Sequence, residues 1–366
     1  MKPLKQLPIQ SLPFLGIEQI SKEVHSITKV ISSRRCNEFP ILRLPFLAIE
    51  EIFKTMHPIE IKKINFSMIS KRTRTVAKLM SFYSKYSIHL FVENFKLFIG
   101  LYGTNEMVAC TYIMTSEEHM DGKIEEKEHK GYINRRVYNY SKDPAEEWKQ
   151  LCLHVLDIFK KKTIHYLSMQ MDTYVNQNVS LIDFLKANVK SVNECRVNQW
   201  YPENNVDENF AYFLNNITIN NKLDSLLHTE NYYFDGQIPK NLKELHIHNS
   251  EWIGYDKLLE IDCKSLFLGY DRISNEQWNL FIKKWIAMET HLNLERLQLK
   301  YRELDVFRDC VLYDIPHEVV HKGVKRTLIS FLNRKAKISG GIDIRRIDGK
   351  TATFIAQYNV FIMSIH

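Results

Sequence analysis

His246 and His248 stand two residues apart in LKELHIHN, a spacing that puts both imidazoles on one side of a β-strand, where two neutral rings are half of a metal site. A tetrahedral centre needs further ligands, and no third ligand has a suggestive spacing from this pair. The six cysteines, at 36, 110, 152, 195, 263 and 310, show neither C-x-x-C nor a Cys/His spacing. The sequence therefore predicts no metal and no disulfide framework. It also lacks G-x-S-x-G, a phosphate loop, H-E-x-x-H and, with only 12 glycines, a glycine cluster to cradle phosphate. A protein that is not an enzyme and carries no cofactor is expected. What remains is docking chemistry. Leu44, Pro45, Phe46, Ile49, Ile52, Phe53 and Pro58 form an apolar set at helical spacing, too large for a module of some 40 residues to bury by itself. The cations Lys71, Arg72, Arg74 and Lys78 follow it, and cations near a helix end more often mark a solvated face than a nucleic-acid contact.

The elements that must carry these residues fall into three textures within 366 residues, enough chain for two or three domains. With 45% hydrophobic and 25% charged residues, the composition is that of a globular protein able to bury a large core. The first ninety residues hold 15 Lys and Arg against 6 Asp and Glu, so the basic excess of the whole chain, +7, is N-terminal. Up to about Met80 the pattern is helical. His57-Pro58 ends one helix, because the residue before proline avoids the α region, and Pro58 opens the next. From Phe82 to Thr115 the runs SIHLFV, FKLFIGLYG and MVACTYIM read as a small antiparallel meander, and Glu117 to Lys130 as a charge-dense loop. Asp143-Pro144-Ala145-Glu146 opens a helix, with Asp143 as cap and Pro144 at the first helical position.

The third texture is a repeat. The spacing apolar-x-x-apolar-x-apolar occurs in IHYLSM, VNECRV, LKELHI, CKSLFL and LERLQL, with a weaker copy in LDSLLH and helix-like segments in several intervals. This is a leucine-rich-repeat-like pattern of short parallel strands joined by helical returns. If the apolar positions point inward, the alternate positions form an outer strand face. On it Arg196, His246, His248, Arg296 and Lys300 are the candidate target-binding residues, beside Tyr166, Ser168, Gln170, Phe267 and Gln298. IDIRRIDGKTATFIA, with Asp348-Gly349 between two alternating runs, reads as a terminal β-hairpin.

Residues 39–80, FPILRLPFLAIEEIFKTMHPIEIKKINFSMISKRTRTVAKLM, resemble an F-box: Leu44-Pro45 at the helix start, the apolar ladder, Pro58 one helix later, and the run Phe66-Ser67-Met68-Ile69-Ser70-Lys71-Arg72. The SFYSKY segment, the capped helix near Trp148 and the terminal hairpin resemble the type 2 F-box-associated region of a family expanded in nematodes. The resemblance implies a substrate-recognition subunit of an SCF-type, cullin-RING ubiquitin ligase. Its F-box would bind a Skp-type adaptor through Leu44, Pro45, Phe46, Ile49, Ile52, Phe53 and Pro58, and its C-terminal domain would hold a protein target for degradation. A repeat scaffold that mediates protein interactions without a ligase is the alternative. The expected architecture is α+β and α/β: a partial duplicate over residues 1–38, a three-helix F-box over 39–80, a β meander and charged linker over 81–142, and a repeat-like domain with a terminal hairpin over 143–366. The duplicate rests on PIQSLPFLGIEQI at 8–20, which repeats PILRLPFLAIEEI at 40–52 in nine of thirteen positions; it lacks a counterpart of Pro58 and reads as a decayed, loosely ordered copy. No secretory signal or run of about 18 apolar residues is present, so an intracellular location without membrane or nucleic-acid partners is expected.

Overall fold

A computed structural model describes residues 45–47, 49–50, 70–79, 86–93, 96–103, 108–129, 132–229, 234, 236–300, 302–329, 335–357 and 360–366. The chain divides into two compact units, Met1–His57 and Pro58–His366. In the first, Phe46, Leu47, Ile49 and Glu50 are helical. The Ile49 N–H donates to the Pro45 carbonyl at 3.1 Å, so a helix begins at Pro45. The duplicate at 8–20 and most of the three-helix expectation lie outside the described residues.

The second unit is mixed α/β, with seven α-helices and one fifteen-stranded sheet among the described residues. Its first helix, α1 (Lys71–Leu79), opens with a reciprocal cap: the Ser70 N–H donates to Thr73 Oγ1 at 2.9 Å, and the Thr73 N–H to Ser70 Oγ at 3.2 Å. Next come β1 (Tyr86–Glu93), β2 (Lys96–Gly103) and β3 (Val108–Thr115), the three strands of the meander. The segment read as a charged loop instead holds β4 (Ile124–His129), which pairs antiparallel with β5 (Tyr132–Tyr140). Cross-strand partners stabilise this acidic strand: Glu126 with Arg135, and Glu125 with the Tyr138 hydroxyl at 3.1 Å.

Helix α2 (Pro144–Phe159) starts as the sequence predicts, with Asp143 Oδ1 accepting from the Glu146 N–H at 3.0 Å. It buries Trp148, whose indole N–H donates to the Phe98 carbonyl at 3.3 Å. Lys78 of α1 reaches Asp157 of α2 at 2.7 Å. Six parallel strands follow: β6 (Thr163–Gln170), β7 (Ser191–Asn198), β8 (Ile219–Leu226), β9 (Glu244–Ile247), β10 (Ser265–Leu268) and β11 (Arg296–Lys300). Between them lie α3 (Asn178–Asn188), α4 (Asp207–Asn216), α5 (Tyr255–Glu260) and α6 (Asn275–Ile286). Each parallel strand neighbours its successor; crossovers between parallel neighbours are as a rule right-handed, and connections of one hand place their helices on one face.

The core is built in rows across that face. Leu167, Cys195, Leu223, Leu245, Leu266 and Leu297 stand in register on successive strands, and all are buried. The sheet does not stop at the repeats. β1 pairs parallel with β6, Leu90 opposite Leu167, so the strands of residues 86–140 and the repeat strands form one sheet rather than a linker and a separate layer.

At the other end α7 (Leu304–Val311) is followed by β12 (Glu318–Ile329), β13 (Lys335–Arg345), β14 (Thr351–Gln357) and β15 (Val360–Ile365), all antiparallel. β13 and β14 form the hairpin expected around Asp348-Gly349. β15 joins it to β11, with Leu297 opposite Met363. The β12–β13 ribbon bends at Gly340 and Gly341, with φ of +73° and +123°. A Cβ on Gly341 would lie 2.9 Å from the Phe354 carbonyl oxygen, so the bend requires glycine. Beyond it Leu328 and Ile338 pack with Ile355, Val360 and Ile362 in a second small core, on the sheet face away from the helices.

Candidate functional site

The helix start reads as an apolar docking element only in part. Pro45 is exposed, Phe46 is half-buried and Ile49 is 2% exposed, while the neighbouring Leu47, which the sequence pattern did not single out, is 71% exposed. Leu44, Ile52, Phe53 and Pro58 lie outside the described residues. Of the basic run, Lys71, Arg72 and Arg74 are exposed on α1 and Lys78 is paired with Asp157.

The outer strand face is a polar mosaic set by strand register. Glu194, Lys222 and Glu244 stand side by side on β7, β8 and β9, and the next row reads Arg196, Asp224, His246 and Phe267. Arg196 Nε lies 3.8 Å from Asp224 Oδ2, and His248 Nε2 lies 3.2 Å from Asp224 Oδ1. Lys222 Nζ is 3.4 Å, and His246 Nε2 3.7 Å, from Glu244 Oε2. The Phe267 ring packs between the two histidines, with centroid separations of 6.0 Å to His246 and 4.9 Å to His248. Lys300 sits over the Tyr270 ring at 4.6 Å.

Burial tunes these groups. It alone would raise the Asp224 carboxyl, but the His248 imidazole beside it, with His246 and Arg196, outweighs burial and leaves the pKa below the usual carboxylate range. His246 is pushed down to about 4, first by burial and then by the Lys222 charge, so at neutral pH it is an uncharged ring. The cations of β7 to β9 are thus offset by Glu244, which the sequence also places on the outer strand face, and by Asp224, which the sequence reading did not name. The signal for Asp224 was the outward phase of the weaker repeat LDSLLH. A face compensated in this way is not a basic phosphate-binding patch; it offers shape, an aromatic ring and alternating charge, the texture of a protein-recognition surface.

The expected outward face does not hold along the whole array. Arg296 is 2% exposed, and its guanidinium donates to Ser265 Oγ from Nε at 3.1 Å and from a terminal nitrogen at 2.6 Å. Burial lowers its pKa from the ordinary arginine value, against the opposing charges of Glu244 and Glu295. Gln298 and Phe267 are buried as well; Gln298 stands opposite Ile362 of the second core. Ser168 is buried and donates to Glu93, and Gln170 is buried and donates to Asp172 at 3.0 Å. The surface therefore centres on Arg196, His246 and His248, with Lys300 at its far side. Among the described residues no three His, Cys, Asp or Glu side chains are arranged to hold a metal ion, and no helix is long and apolar enough to cross a membrane.

Comparison with known proteins fits this division. The F-box domain signature matches residues 41–85, and an F-box associated signature matches residues 233–299, from just before β9 into β11. The Skn-1 dependent zygotic transcript 15 protein of Caenorhabditis elegans is 23% identical over 329 residues, covering 84% of this chain and 91% of its own length. No solved structure matches the chain significantly.

Proposed function

From its place among the F-box proteins that carry an F-box-associated region, we propose that the chain is the substrate-recognition subunit of an SCF-type, cullin-RING ubiquitin ligase. The F-box binds a Skp-type adaptor. Leu44, Pro45, Phe46, Ile49, Ile52, Phe53 and Pro58 carry the contact; Leu47, exposed on the same helix, adds to it. The β6–β11 array acts as a leucine-rich-repeat-like platform for a protein target, which Arg196, His246, His248 and Lys300 meet. The chain itself does no chemistry in this scheme; it positions the target for the attached ligase.

The observation that carries the reading is the F-box match over residues 41–85, ahead of a sheet whose helix-free face is a compensated polar mosaic. The test is adaptor capture. Leu44→Ala with Pro45→Ala should abolish pull-down of a purified Skp-type adaptor while the melting temperature of the Pro58–His366 unit stays unchanged. Truncating a central interface anchor costs about 2 kcal/mol or more, roughly thirtyfold in affinity. Undiminished capture by the double variant, or no capture by the parent chain, overturns the adaptor contact and favours the ligase-independent scaffold.

A further inference from the structure

Among the described residues three large apolar side chains stay exposed on strands, Ile124, Val319 and Val324, and all three lie on the two outermost strands of the sheet. Ile124 belongs to β4 and the two valines to β12. Each of these strands pairs with a single neighbour among the described residues, β4 with β5 and β12 with β13, so each presents a row of backbone N–H and C=O groups that no described strand fills. An open edge is a template for pairing with another chain.

Sheet edges are ordinarily guarded by proline, by bulges or by charge. β4 has neither proline nor bulge, and its register with β5 runs unbroken from Ile124 to His129. Its guard is charge. Residues 117–129 hold six Asp or Glu against two Lys, and Glu126 and Glu128 are exposed two positions apart, on the same side of the strand. β12 has an irregularity between Val320 and Lys325, beyond which Lys325 to Ile329 pair regularly again. Its charge has the other sign. β12 and β13 together carry six Lys or Arg against Glu318 and Asp343, and Asp343 is already taken by Arg326 at 2.6 Å and by the Thr353 hydroxyl at 2.7 Å. Lys322, Lys325 and Lys337 are exposed.

Charge of one sign repels a like edge and attracts the opposite one. Two β4 edges, or two β12 edges, set like charges side by side; β4 against β12 sets glutamates beside lysines and covers the isoleucine and valines left in water. A nucleic acid would meet the lysines as well, but it has no alternating N–H and C=O row to match the open edge. We infer that β12 of one molecule takes β4 of a second copy as an added strand, so that the chain associates with itself head to tail through the two ends of its sheet. The contact is heterologous, with a different edge on each side, and it stands apart from the ligase reading.

Sedimentation velocity on the full chain without adaptor tests this. The mass of the parent chain should rise with concentration at low salt and return toward monomer at about 1 M salt, where the Debye length is about 3 Å. Lys322→Glu with Lys325→Glu on β12, and Glu126→Lys with Glu128→Lys on β4, should each weaken association about tenfold or more, because each variant makes its two edges alike in sign. An equimolar mixture of the two should restore association to within about threefold of the parent, since every contact between unlike variants again sets acid against base. Undiminished association of either folded variant alone, or a mixture as dispersed as its components, overturns the inference. Where a variant unfolds, amide hydrogen exchange of the parent chain decides: association should slow exchange in β4 and β12. Association that leaves both strands unprotected, or a parent chain that stays monomeric at every concentration, overturns it.

Discussion

Arg196 and Arg296 are related by the repeat and differ in environment, so reversing each charge should give opposite outcomes. Arg296 is buried on the row that includes Glu244 and Ser265, with its Nε and a terminal nitrogen on Ser265 Oγ. Arg296→Glu removes those charge-assisted bonds and sets a second carboxylate near Glu244. Uncompensating a buried charge costs about 3–5 kcal/mol. At about 2 °C per kcal/mol for a unit of this size, the melting temperature should fall by about 6–10 °C. Arg196, whose side chain is 44% exposed, makes only the 3.8 Å contact with Asp224. Exposed pairs contribute about 0–1 kcal/mol, so Arg196→Glu should shift melting by about 2 °C or less while weakening capture of the target. Arg296→Met, which keeps much of the volume without a charge to satisfy, should fall between the two. Thermal unfolding followed by circular dichroism reads all three. Arg296→Glu melting within 2 °C of the parent chain would refute the burial of this guanidinium and return Arg296 to the recognition surface.

Gly341→Ala should cost about 1–3 kcal/mol, because an alanine at φ +123° is strained and its methyl would meet the Phe354 carbonyl oxygen at 2.9 Å; loss of the ribbon bend should show as faster proteolysis within β12, and unchanged cleavage would count against it. Acid should destabilise the protein before its carboxylates titrate. His89, His246 and His291 are each lowered from 6.5 to about 4, chiefly by burial, so the unfolded chain binds more protons between those values. Stability is then full above pH 6.5 and falls as pH drops toward 4, by up to about 1.4 kcal/mol per pH unit for each of the better-buried His246 and His291. Glutamine at His246 and His291 should flatten the melting temperature over that window, and an equally steep profile in the double variant would refute the assignment.

The phase of the repeat strands was legible because it is written locally. Apolar-x-x-apolar-x-apolar puts Leu245, Leu266 and Leu297 in one row, and the structure has them there. The cap at Asp143 was equally local, a short polar side chain three residues before the N–H it receives. What the sequence did not announce came from partners distant in the chain. IEEKEH has no strand-like alternation, yet it pairs because β5 brings Arg135 opposite Glu126 and the Tyr138 hydroxyl within reach of Glu125. Gln298 sits at an outward phase and is buried all the same, since the ribbon that turns at Gly340 and Gly341 brings Leu328 and Ile338 to the Val360 and Ile362 side of the sheet. Periodicity reports which way a side chain points; it does not report what arrives later to cover it.

That difference bears on where specificity resides. Along β7 to β9 the cations are matched by Asp224 and Glu244, and toward β11 the row closes with Arg296 on Ser265. On the proposed reading, a target docking on this face would displace existing ion pairs before forming its own, an exchange that yields little net affinity while strongly penalising a partner of the wrong shape or charge. The strand face would then be suited to rejecting targets.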